Sequence, residues 1–237
     1  MITLGVLERF IMSTEKILQF LIYIPGFLFS LSFHEMAHAY VASRLGDDTA
    51  KRLGRVSLNP LVHADPVGTF LMPFLGFMTG IPVLAWARPV PFNPLNLKNR
   101  RRDSMWISLA GPVSNLFLAF VFAGIIHGIY YAYPFFKGYI PSHYFGIFYV
   151  ALQITFLLNI GLCVFNFLPL DPLDGGKIIR GVLSENMARV FDSWMDRYGR
   201  ILGILFIILI FTGGLGRVIS VPIVFIGRLL LGDKFIF

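Results

Sequence analysis

The sequence predicts an all-α polytopic membrane protein, a bundle of about 4–6 transmembrane helices with a re-entrant or broken segment after the first core helix. Three observations carry that expectation. Of the 237 residues, 56% are hydrophobic and only 14% charged, a balance that soluble domains of this length rarely show; mean hydropathy is +0.73. Several apolar runs are long enough to cross a hydrocarbon core about 30 Å thick. The polar connectors between them are short, so no soluble domain is inserted.

Residues 1–13 are mixed and read as a short interfacial helix. Ser13 can cap the next helix, and Lys16 lies near the head groups. The first clear membrane helix covers 15–44; residues 44–67 are a polar connector whose Gly, Asn and Pro residues argue against one continuous helix. Residues 67–87 are apolar but broken by Gly68, Pro73, Gly76, Gly80 and Pro82. A Pro- and Asn-rich connector, 88–103, leads to a second membrane helix at 104–132, and a third comes at 145–168. Residues 177–197 are polar and partly helical near the membrane surface. A fourth apolar helix is expected at 198–212, and a last apolar stretch, 218–232, either spans or lies in the interface. The whole chain, 1–237, reads as one membrane-embedded domain with a core at 15–180 and C-terminal helices at 198–232.

Composition excludes several classes. The lone Cys163 allows neither an intrachain disulfide nor a four-thiolate zinc site, and reads as a packing residue. The net charge of +7 sits in loops flanking apolar runs, which fits membrane orientation rather than nucleic acid. The first apolar segment is too long for a cleaved leader and lacks a small-residue cleavage site.

The chemistry is concentrated in His34-Glu35-Met36-Ala37-His38, near the end of the apolar stretch 17–33. On a helix this spacing points two imidazoles off one face toward a single Zn²⁺, with Glu35 between them as a general base toward a water in the open position. Ionisable residues at bilayer depth are costly and are functional candidates by default. Catalytic zinc usually takes three protein ligands. Candidates for the third are His63, Asp65, His127, His143, Asp171 and Asp174.

Depth constrains the choice. Asp174 comes after the C-terminal end of the 145–168 helix and reaches the depth of the histidines only if that helix and the first run in the same direction. Segment 67–87 must then return to its own side, which its Pro and Gly residues permit where protein or water covers the freed backbone. Basic residues agree. With that return, thirteen Lys and Arg share the face carrying 44–104 and 171–199, against Arg9, Lys16 and Lys137 opposite. The thirteen-charge face is expected to be cytoplasmic.

These residues resemble the site-2 proteases, the intramembrane zinc metalloproteases. The likeness covers His34-Glu35-x-x-His38, Ala110-Gly111-Pro112-x-x-Asn115 and Asn166-x-x-Pro169 through Leu173-Asp174-Gly175. The stretches Gly54-Arg55, Leu58-Asn59-Pro60, His63, Asp65-Pro66 and Ala87-Arg88-Pro89-Val90-Pro91 resemble a compact prokaryotic branch without PDZ or nucleotide-sensing insertions. The resemblance implies one Zn²⁺ per chain held by His34, His38 and Asp174. It also implies Glu35 as catalytic acid/base and Asn166 on the substrate backbone or oxyanion. It further implies a membrane-anchored protein substrate and a multi-pass location in the cell membrane, with the site near the cytoplasmic face. The family usually has Pro where this chain has Asp171, which is expected to be solvated, with zinc competition or a histidine N–H as alternatives. His63 is expected to be a surface or turn histidine, and His127 and His143 interfacial. Asn115 reads equally as packing or site support. The competing reading is a zinc-binding membrane protein without protease activity, a scaffold or transporter; a zinc hydrolase acting on lipid is a third.

Overall fold

The computed structural model describes residues 2–234. Helix α1 (Ile2–Arg44) is continuous, so the separate helix expected at 1–13 is not found, and residues 2–13 extend α1. No proline interrupts it before Pro25. Its apolar part, Thr14–Arg44, is long enough to cross a membrane.

After α1 come two single turns, α2 (Thr49–Arg52) and α3 (Pro60–His63). Asn59 caps α3 and Pro60 occupies its first turn, a position where a missing N–H costs nothing. Asp65 Oδ1 accepts from the N–H groups of Val67 (3.0 Å) and Gly68 (2.7 Å), starting a wide helical turn, Pro66–Leu71, that continues as α4 (Met72–Thr79). Gly80, at φ 72°, ends α4 in the left-handed region open to glycine. The chain then returns through 81–93 without a helix, with the N–H groups of alternate residues Trp86 and Arg88 bonded back to the hairpin's outward limb.

Contacts at both ends show that this excursion comes back to its own side. At the tip, Lys16 Nζ donates to Met78 O (2.8 Å), and the Phe77 ring packs on Phe20 and Tyr23. On the return, Trp86 N–H donates to Gly68 O (3.2 Å) and Arg88 N–H to His63 O (2.8 Å). The buried Asp47 carboxylate then accepts from Asn93 N–H (2.8 Å) and Asn96 Nδ2 (2.7 Å). The connector therefore ends where it left α1. Lys16 lies eighteen residues before His34, about 27 Å along the helix, so the hairpin is deeper than a shallow re-entrant loop.

Helix α5 (Arg100–Phe136), capped by Asn99, runs antiparallel to α1: Ile107 meets His38, Asn115 meets Ser30 and Phe122 meets Phe29. Helix α6 (Ser142–Asn166) runs parallel to α1, with Thr155 at Gly26 and Asn159 at Ser30. A core of Ala119, Ala123, Ile126, Phe156, Ile160 and Leu231 fills the space between α5, α6 and the last helix. The short α7 (Asp174–Val182) packs along the start of α5.

Two helices complete the chain, α8 (Glu185–Phe211) and α9 (Gly214–Leu231). Among the described residues, four helices are long and apolar enough to span: α1, α5, α6 and α9. The apolar helix expected at 198–212 is not separate but forms the distal half of α8, because Ser184 caps the helix upstream and its polar and apolar halves are continuous. The stretch 218–232 belongs to the span-length α9, up to Leu231.

Candidate metal centre

His34 and His38 lie one helical turn apart on α1, both buried. Asp174, the first residue of α7, brings its carboxylate to them: Oδ2 is 3.2 Å from His34 Nε2 and 3.3 Å from His38 Nε2. The two Nε2 atoms are 3.0 Å apart. Among the described residues, these three form the group whose potential ligand atoms all lie within 4.8 Å of one another.

That triangle fits a tetrahedral metal. Zinc–nitrogen and zinc–oxygen bonds of about 2.0–2.2 Å place ligand atoms roughly 3.3–3.5 Å apart along a tetrahedral edge. The observed edges, 3.0–3.3 Å, are close to one face of such a tetrahedron. Two imidazoles and a carboxylate also match the donor types that zinc takes in hydrolytic sites.

The far ring nitrogens are occupied. His34 Nδ1–H donates to Asn115 Oδ1 (2.6 Å), and His38 Nδ1–H donates to the Ile107 carbonyl (2.7 Å). Each bond fixes the tautomer that leaves the Nε2 lone pair facing the triangle. Asn115 cannot be reversed. Its Nδ2 donates to Ser30 O (3.2 Å) and Asn159 Oδ1 (3.0 Å), while Asn159 Nδ2 donates to Ser30 Oγ (2.8 Å) and Thr155 O (2.8 Å). Asn115, Asn159 and Ser30 are all fully buried. This chain of bonds stitches α1, α5 and α6 together behind the site. Asn115 thus both packs between the helices and bonds the His34 ring.

Gly111 explains why α5 can come so close. A Cβ there would fall inside van der Waals contact with both His34 and His38 ring atoms. The Gly–Pro pair at 111–112, which reads in sequence as a backbone break, is instead a close approach to the imidazoles within a continuous helix.

Glu35 lies between the histidines, half-buried, and accepts no hydrogen bond from any described residue. Its charge is felt by the buried Arg55, whose guanidinium is pushed down by burial and by Arg88 and partly restored by Glu35. Arg55 itself donates to the Val62 carbonyl. Asn166, the last residue of α6, is half-buried and donates from Nδ2 to Leu162 O (2.9 Å); its Oδ1 and second N–H have no partner among the described residues.

The other candidates lie elsewhere. Asp65 caps the hairpin. His127 donates to Leu230 O (2.9 Å), and exposed His143 lies against Tyr144. His63 is not a surface residue: it is fully buried, its Nε2–H donates to Ser57 O (2.8 Å), and its Nδ1 has no partner among the described residues. Asp171 is partly exposed but not merely solvated. Arg180 grips it with two bonds, Nη1–Oδ1 2.8 Å and Nη2–Oδ2 2.6 Å, which hold its carboxyl below the usual carboxylate range despite partial burial. The same guanidinium donates from Nε to Asp192 on α8 (2.6 Å). The sequence reading does not single out Asn159, which the structure joins to Asn115 behind the histidines. An amide amid the apolar run 145–168 was the available signal.

The sequence pattern of Peptidase family M50 matches residues 142–210. The chain is 35% identical over 231 residues, 94% of its length and 93% of the relative's, to "Putative zinc metalloprotease YwhC" of Bacillus subtilis. It is 30% identical over 156 residues to Rip2 of Mycolicibacterium smegmatis and 31% identical to Rip2 of Mycobacterium tuberculosis. Each of these matches covers 66% of the chain and 55% of the relative, and both carry the same zinc metalloprotease description. No solved structure matches. The class is thus a metalloprotease, built on a membrane bundle. The chain belongs to peptidase family M50, the site-2 proteases.

Proposed function

We propose that this chain is an intramembrane zinc endopeptidase, a single membrane-embedded protease domain that hydrolyses a peptide bond in or near the transmembrane segment of a membrane-anchored protein. The carrying observation is the convergence of His34, His38 and Asp174 at a buried point. His34 lies ten residues before the end of α1, about 15 Å inside it. In this reading those three side chains hold the metal. When bound, zinc supplies a Lewis acid that acidifies water and polarises a carbonyl.

The chain's own residues do the rest. Asn115 and the Ile107 carbonyl keep both imidazoles in the ligand tautomer. Glu35 takes a proton from the attacking water on its carboxylate and returns it to the leaving amine. Asn166 offers its free N–H to the scissile backbone or the developing oxyanion. The substrate helix must unwind first, because its carbonyls are committed to helical bonds.

The extended return of the hairpin is suited to hold the unwound segment. One edge is committed: Trp86 and Arg88 bond to Gly68 and His63, and the Trp86 carbonyl accepts from Thr69 Oγ1 (2.9 Å). Backbone polar groups of alternate residues face opposite edges of an extended strand. Ala85 and Ala87 therefore face the other way, and neither has a hydrogen-bond partner among the described residues. Ala85 also lines a groove of ≈ 420 Å³ between α1 and the hairpin, with Tyr23, Phe77 and Val83. A substrate strand added at that edge would gain main-chain bonds without a sequence requirement.

The site's face carries the excess of Lys and Arg, which supports a cytoplasmic placement in a multi-pass cell-membrane protein. The test is cleavage of single-span substrates in detergent by wild type and Glu35→Gln. Turnover lost with zinc retained supports the mechanism, and equal turnover refutes the role of Glu35.

A further inference from the structure

Helix α8 is long enough to be mistaken for a membrane span, and its neighbours show that it is not one. The far end of α5 is marked by Tyr130 and Tyr131, and the C-terminal end of α9 lies there. His127 donates to Leu230 O, and Lys234 lies 4.7 Å from the Tyr130 ring centre and 5.1 Å from that of Tyr131. Earlier along α9, Ile223 approaches Gly161, near the site end of α6. Helix α9 therefore runs from the metal-site side to the far side. Helix α6 ends on the metal-site side, and α7 stays there. A helix between α7 and the start of α9 must begin and end on that same side.

Local contacts agree. Asp192 of α8 is bonded to Arg180, Phe206 packs on Phe165, and Leu170, Asp171 and Leu173 share a small cavity with Met195, Gly199 and Leu202. All of these partners belong to the site end of α6, to its connection to α7, or to α7 itself. The 27 residues of α8 measure about 40 Å, laid across one end of the bundle rather than through it.

The surface of α8 is divided to suit that position. One stripe, Ala188, Met195 and Leu202, packs inward. The adjacent stripe, Met187, Val190, Trp194, Tyr198, Ile201 and Leu205, recurs at helical spacing and is exposed throughout. Arg189, Ser193, Arg197 and Arg200 form the third stripe, which ends where Ile204, Ile207 and Phe211 take over. Trp and Tyr beside arginines whose stems can snorkel are the residue types of a membrane–water boundary. The all-apolar end needs lipid on every exposed side.

We propose that α8 is an oblique interfacial helix, seated in the leaflet on the metal-site side, with its apolar stripe among acyl chains and its arginines among anionic head groups. Through Arg180 it anchors the Asp171–Asp174 segment to the plane of that leaflet.

The test uses the full chain in phosphatidylethanolamine–phosphatidylglycerol vesicles, with spin labels on single cysteines replacing residues 186–201 in turn; buried Cys163 is left in place. Collision with oxygen should peak at 187, 190, 194, 198 and 201, and collision with a water-soluble nickel complex at 189, 193, 197 and 200. An impermeant maleimide should label Lys234→Cys and Gly138→Cys from one side, and Arg189→Cys and Arg101→Cys from the other. Labelling of Thr212→Cys from the Gly138 side, or of Lys234→Cys from the Arg101 side, overturns the topology. A uniform collision profile along α8 overturns the lipid seat.

Discussion

The two halves of the candidate metal centre are held by opposite physical means. His34 and His38 are fixed from behind by neutral amides and a backbone carbonyl, all buried between α1, α5 and α6. Asp174 comes at the end of a loop that is clamped by Asp171, Arg180 and Asp192, at partly exposed positions. Hydrogen bonds sheltered from water keep their strength, and leaving one buried partner unmade is expensive. Exposed ion pairs are individually weak and are screened by salt. One arm of the site is thus built to be constant, the other to respond to ionic conditions.

The largest expected effect comes from the shared corner. Asp174→Ala should lose zinc on dialysis and activity with it, whereas Asp171→Ala should keep zinc; metal analysis of the purified variants distinguishes them. The opposite pattern would reverse the assignment. Gly111→Ala should nearly match the first loss, because its methyl group meets both imidazoles. Zinc content at normal levels in that variant would show that α5 can retreat.

Behind the histidines, Asn115→Ala should weaken zinc binding roughly 10–100-fold, the usual effect of removing a ligand's outer partner. Chelator competition reads this at low and high salt, and the loss should be the same in both. Arg180→Ala should cost at most about fivefold by the same assay, in keeping with a surface ion pair. That difference should shrink at high salt. A salt-sensitive Asn115 effect beside a salt-insensitive Arg180 effect would invert the comparison.

The smallest effect is in pH. Arg180 lowers the Asp171 carboxyl below its ordinary value near 3.9. A carboxyl depressed on folding contributes stability above its unfolded pKa and loses it as pH falls through the folded one. Thermal stabilities of wild type and Asp171→Asn should therefore differ at neutral pH and converge below about pH 4. A constant gap across that window would mean that the clamp is not electrostatic.

The sequence made one arm of the site readable and hid much of the other. Two histidines four residues apart, and a return of 67–87 to its own side, are consequences of helix geometry and charge counting, and the structure shows both. The Asp171–Arg180–Asp192 clamp joins residues nine and twelve apart across a helix break, so no local periodicity announces it. His63 looked like a loop residue because its neighbours are Pro and polar, yet the hairpin's return strand covers it. The upstream extension of α8 is hidden for a related reason. Hydropathy reports that 198–212 prefers lipid, but direction across the membrane comes from contacts made by the next helix.

The amide chain behind His34 has a consequence for the proton transfers beside it. Asn115, Asn159, Ser30 and Thr155 give and receive hydrogen bonds but neither gain nor release protons near neutral pH. They lie on the far side of His34 from the Asp174 carboxylate and bring no acid or base of their own to it. If the metal centre performs the proposed hydrolysis, its proton transfers find no titratable relay among these four side chains.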